Sequence, residues 1–202
     1  MICFRKVNLI AMTLILASCS HAPINTGTNI VGPVANGDYY PTLERYTKEE
    51  KKYSGFHNTF QAEVTWLNSE VQTLALQRRG HFLQWDLDKS RQEREKMFQE
   101  MSSTAKIFLA FFAPENDYDD LSKPKSIWKI YLEHDGNRYE GKVKKAAEKY
   151  VELKELYPYL ERFHTPYYVE FQIPMTAIES HSTKVVLTSS LGSAEFTFPE
   201  RR

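Results

Sequence analysis

The chain has 202 residues, with 26 basic and 26 acidic side chains and a sequence pI near 7.0. So even a balance lacks the one-signed charge footprint of a nucleic-acid binder, and no nucleic-acid partner is expected. The two cysteines, Cys3 and Cys19, both fall in the first twenty residues, which leaves the rest of the chain no thiol for a disulfide, a thiolate metal site or a nucleophile.

The chain opens with Arg5 and Lys6, then the apolar run Leu9 to Leu16, then Ala17-Ser18-Cys19. That run is too short to cross ~30 Å of hydrocarbon, which takes roughly 20 helical residues. A positive start, a short apolar stretch and small residues make the pattern of a cleaved export signal. With Leu16-Ala17-Ser18 directly before Cys19, the segment resembles the lipobox signal peptide of bacterial lipoproteins. The resemblance implies cleavage before Cys19, a diacylglyceryl group on its thiol and acylation of its new amino terminus. It also implies a lipid-held envelope protein, with Ser20 favouring the outer membrane and a domain facing the periplasm. Several acyl chains anchor stably where one holds only marginally.

Ser20 to Gly37 is small and polar, as a flexible spacer is, and Asp38 to Ser54 reads as a tyrosine- and charge-rich transition. Within it, Lys48-Glu49-Glu50-Lys51-Lys52 is expected to be a solvated helical turn or linker. The organisation expected is therefore a signal over 1–18, a lipidated tether over 19–54 and one globular domain over 55–202. The fold should begin near Phe56.

Thr59 to Trp66 alternates, with Phe60, Ala62, Val64 and Trp66 on one face, as a half-buried strand does. Capping boxes at Ser69/Gln72 and Ser90/Glu93 predict two helices. The first should end near Gly80. The second should end near Met101 and carry a narrow stripe of Leu87, Arg94, Phe98 and Met101. Ile107 to Phe112 is apolar on both faces, as a central covered strand is. Ile127 to Glu133 alternates, and Asp135-Gly136 suits a two-residue hairpin turn into a return strand Arg138 to Val143. Ala146 to Leu156 reads helical. Tyr167, Val169, Phe171 and Ile173 mark another strand. Lys184 to Ser189 and Ala194 to Phe198 make a last hairpin turning at Leu191-Gly192-Ser193. These elements predict a mainly β chain with helical insertions: an antiparallel β-sandwich, immunoglobulin-like in outline, with an α+β arrangement as the alternative.

No catalytic motif stands out. His57, His81, His134, His164 and His181 lack metal-ligand spacing. The run Glu115 to Asp120 offers Asp117, Asp119 and Asp120 to a hard cation such as calcium. However, it lacks the glycine and glutamate of an EF-hand frame, and a solvated Asx-rich turn is the expectation. Lys142, Lys144, Lys145 and Lys149 read as a salt-bridged surface beside Glu148, Glu152 and Glu155. In the aromatic cluster Tyr157 to Tyr168, Tyr167 should be core. Tyr159 and Tyr168 are the candidate contact residues. No cofactor is expected. The function expected is non-enzymatic binding of another envelope protein by a membrane-held domain. A surface-held hydrolase or carbohydrate-processing enzyme and a calcium- or glycan-binding module are the alternatives.

Overall fold

The computed structural model describes residues 36–201, so Cys19, the signal segment and most of the spacer lie outside the described residues. Among them are five helices and nine strands. In chain order these are α1 (Asn36–Arg45), β1 (Thr47–Ser54), β2 (His57–Trp66), α2 (Ser69–Phe82), α3 (Leu87–Met101), β3 (Ala105–Phe112), β4 (Lys129–His134), β5 (Asn137–Glu140), β6 (Lys142–Lys145), α4 (Tyr150–Leu156), β7 (Thr165–Phe171), α5 (Met175–Ile178), β8 (Thr183–Ser189) and β9 (Gly192–Phe198).

The strands form two antiparallel sheets, one ordered β1-β2-β3-β7-β6 and the other β5-β4-β8-β9. Their facing sides supply the main core. Register puts Val64 beside Leu109 and Trp66 beside Ile107, which in turn faces Val169. Across the layers the Trp66 ring stacks on Phe198 at 5.8 Å, and Trp128 meets Phe60 and Phe111 edge-on at 4.9 and 5.0 Å. The period-two pattern of β2 and β4 thus faces inward as the alternation predicts. In the middle of its sheet, β3 is buried on both sides, because the segment that follows α4 lies on its outer face, where Phe108 packs against Tyr157 and Tyr159.

The folded part starts earlier than Phe56. Where the composition suggests a tether, α1 buries Tyr39 and Leu43, with Tyr46 just beyond it; the i, i+4, i+7 spacing makes one apolar stripe on a helix. The charged run Lys48 to Lys52 is not a helical turn but part of β1, an edge strand paired register by register with β2. Charge is a usual defence of such edges.

The helix starts also differ. Asn68, not Ser69, caps α2, its Oδ1 accepting from the Val71 N–H at 2.9 Å, while Glu179 Oε2 accepts from the Ser69 N–H at 2.9 Å. Gly80 does not end this helix. It gives the Trp85 ring room, since a Cβ there would lie 3.1 Å from that ring. Asp86, not Ser90, caps α3 by accepting from the Lys89 N–H at 2.7 Å. The face α3 buries carries Met97 and Met101, leaving Phe98 and Leu87 exposed.

Asp135 and Gly136, at φ 47° and 75°, make the expected turn. The return strand splits at Gly141: β5 stays with β4, and β6 crosses to β7 in the other sheet. A Cβ at Gly141 would come within 2.5 Å of Val169 Cγ1 and 2.8 Å of Phe171 Cε1, so only glycine lets the backbone pass that close. Residues 146–149 form a loop, and the helix after it is the shorter α4. The last hairpin turns at Ser190-Leu191, because Ser189 pairs with Gly192.

Candidate functional site

A cleft of about 390 Å³ lies between α2 and α3 on one side and the outer face of β3, β7 and β6 on the other. Its floor is apolar and aromatic, with Leu76, Met97, Leu156, Tyr157 and Tyr168. Under the floor Phe108, pointing outward from β3, stacks on Tyr157 at 3.7 Å with the rings nearly parallel and meets Tyr168 edge-on at 5.5 Å. Strand alternation explains Tyr168: Tyr167 is consumed by the inter-sheet core, so its neighbour must face the helices.

The rim is charged and internally paired. Tyr168 Oη donates to Glu148 Oε1 at 3.2 Å, and the Arg79 guanidinium donates to the same oxygen at 3.1 Å. Lys106 bridges Glu100 at 2.6 Å and Glu170 at 3.6 Å, and Lys144 holds the other Glu170 oxygen at 2.7 Å. Burial alone would raise the Glu170 carboxyl, but the Lys144 and Lys106 ammonium groups outweigh it and hold it below the usual range. Burial, then the Glu148 charge, pushes the Tyr168 phenol up. At neutral pH the rim is therefore a set of neutralised ion pairs around an apolar floor. Such a surface can orient a ligand by exchanging partners.

A carboxyl raised toward neutrality lies outside the cleft. Glu63, on the outer face of β2, sits directly opposite Glu49 of β1. Its Oε2 is buried without a hydrogen-bond partner. Burial, then the Glu49 and Glu161 charges, pushes its pKa up to about 7. Nearby, burial lowers His164, whose Nδ1 accepts from the Glu161 N–H at 3.2 Å. Glu63, Glu49 and His164 are not among the residues lining the cleft.

The remaining sequence candidates resolve separately. Tyr159 does not line this cleft, and its hydroxyl shares a hydrogen bond with that of Thr65. Asp120 accepts from the Ser122 N–H at 3.0 Å and hydroxyl at 2.7 Å, and pairs with Lys145 at 2.8 Å. Burial would raise its pKa, but these donors hold it well below the usual carboxylate range. Asp119 gives its carbonyl to the Tyr167 hydroxyl at 3.2 Å, and Asp117 is exposed. The three do not converge, and among the described residues no group of three metal-ligating side chains occurs. The segment is a run of turns in which Asp120 is half-buried and engaged by Ser122 and Lys145.

No family model, no curated protein and no solved structure matches this chain. Its function has to be argued from its own residues.

Sequence reasoning missed three features here. The cleft joins residues from α2 to β7, far apart in the chain, with no local spacing to reveal it. Glu63 looks like the polar position of an alternating strand until Glu49 is known to lie across from it. His134 and His181 bring their rings to 5.6 Å across a loop and a strand end, though no short histidine spacing announces the pair.

Proposed function

We propose that the protein is a lipid-anchored bacterial envelope protein whose domain acts as a non-enzymatic binding module. The cleft between α2, α3 and the five-stranded sheet would take part of another envelope protein. The observation that carries this reading is the pairing of an apolar aromatic floor with a rim of neutralised charges. Apolar anchors framed by polar groups are the anatomy of a protein-binding surface. The anchor rests on Leu16-Ala17-Ser18-Cys19 and places the domain, in this reading, at the outer membrane facing the periplasm.

A hydrolase is the weaker reading. The one carboxyl raised toward neutrality, Glu63, and the cleft that would hold a substrate do not coincide. A calcium module is weaker still, because Asp120 is already engaged by Lys145 and Ser122.

A photo-crosslinking residue at Lys96, on the cleft rim, tests the binding reading in intact cells. A discrete adduct is expected that disappears with Leu76→Asp at a temperature where the variant's melting curve shows it still folded. Adducts that persist unchanged in Leu76→Asp would refute the cleft. Separately, labelled palmitate should enter the mature chain and be lost with Cys19→Ala. An unlabelled mature chain would refute the anchor.

A further inference from the structure

Four exposed apolar side chains gather at one end of the sandwich. The β1–β2 hairpin turns at Gly55-Phe56, and Phe56 is 102 % exposed while Tyr53 is exposed beside it. The β8–β9 hairpin turns at the same end, because Gly192 approaches the Phe60 ring near the start of β2, and this turn carries exposed Leu191. Phe163 is 74 % exposed and reaches Phe112 at 6.2 Å, where Phe112 faces Gln61 across β2 and β3.

Single exposed apolar residues need no explanation, but several rimming one end do. Phe56 is the most telling of them. Two-residue turns draw on Gly, Asn, Asp and Ser for backbone reasons. Gly55, at φ 62°, supplies the positive φ here, so the turn geometry does not call for phenylalanine at the next position, and its ring buries nothing within the fold.

We propose that this end, with Phe56 at its tip, is the face that rests in the headgroup region of the membrane to which the chain is anchored. This rests on the lipid-anchor reading above. The stretch from Cys19 to Asn36 spans at most about 58 Å when fully extended. The folded domain is about 40 Å across for its length. The tether therefore allows any face to meet the bilayer, and the fully exposed Phe56 with Phe163 at 74 % favours this end over the α2–α3 face, where Leu83, Leu87 and Phe98 are 42, 45 and 52 % exposed. Amphipathic rings such as that of Tyr53 favour the membrane–water interface, and Arg162 beside Phe163 adds a cationic group of the kind that faces lipid phosphates; Lys51 and Lys52 are already paired with Glu49 at 2.5 Å and Glu50 at 3.3 Å. A bilayer contact at this end leaves the cleft on the side of the domain, open to the periplasm.

The test uses the mature chain reconstituted into phosphatidylethanolamine–phosphatidylglycerol vesicles. The domain has no thiol of its own, so Phe56→Cys and, at the opposite end before β3, Ser103→Cys each give one site for an environment-sensitive dye. A blue shift and quenching by brominated lipid are expected at position 56 and not at 103. In the unlabelled chain, Phe56→Ser with Tyr53→Ser should make Lys52 more accessible to trypsin on vesicles and leave its cleavage in detergent unchanged. Equal quenching at both positions, or at neither, overturns the proposal. So does a shift at 56 that follows protein concentration and resists brominated lipid, which would mark contact with a second copy or another protein. Mass analysis of Cys19 is read independently. Lipidated Cys19 with a silent position 56 sinks this inference and spares the anchor, whereas unmodified Cys19, with quenching at 56 kept when Cys19→Ala removes the second thiol, does the reverse.

Discussion

Glu63 and Glu49 face each other on adjacent strands, and Lys51, paired to Glu49 at 2.5 Å, relieves them only in part. The fold keeps Glu63 near a pKa of 7, above its ordinary value of 4.5, first through burial and then through the charges of Glu49 and Glu161; only Lys51 pulls the other way. A carboxyl raised in the folded state makes its full contribution below the unfolded value and loses it as pH rises through the folded one. His164 runs oppositely: lowered by burial, its contribution fades as pH falls below 6.5. Asp120, held low, weakens the fold only below about its ordinary 3.8. A comparison with Glu63→Gln isolates the first group. The variant's melting temperature should exceed that of the parent by a margin that grows from pH 4.5 to 7 and then levels. A margin constant over that range would mean the pair does not titrate as the geometry implies.

At the scale of elements, α3 shows how far a helical pattern leads and where it stops. Its charged character and its end at Met101 are legible from composition and period, because a surface helix exposes most of its circumference. Which apolar stripe turns inward was not, since Leu87, Phe98 and Met101 and the alternative Met97 with Met101 fit the same period. Contact with the sheet and α2 selects Met97 and Met101. Met101→Ala should therefore lower unfolding stability by roughly 2–5 kcal/mol, as buried truncations do. Phe98→Ala, at 52 % exposure, should change it by about 0.5 kcal/mol or less. Denaturant melts of the two variants check the order. The hairpin at Asp135-Gly136 was legible because its turn chemistry is local, whereas the crossing of the chain between sheets at Gly141 depends on Val169 and Phe171 arriving from elsewhere.

Across the whole molecule, the two sheets share one core rather than holding two. Trp66 and Trp128 each touch rings from the opposite layer, and the chain passes directly from β5 in one sheet to β6 in the other. Neither sheet can lose its partner without exposing its own inner face. Thermal unfolding should then be a single transition, with far-UV and near-UV dichroism coinciding. A near-UV step that precedes the far-UV step would show the layers separating first. The same continuity makes the outer face of the five-stranded sheet a firm base for the cleft: Phe108 fills one side of β3 while Ile107 and Leu109 fill the other.

The linear chain determined the β-rich class, the strand faces, the hairpin at Asp135 and the lack of any thiol beyond Cys19. Each follows from periodicity or local chemistry, which a strand or turn carries wherever it packs. Tertiary structure alone decided that α1 and β1 belong to the fold, that Glu63 faces Glu49, and that α2, α3 and β7 enclose a cleft. Those facts arise from partners distant in the chain, and charge or aromatic content reads the same on a tether as on a sheet edge until that partner is present.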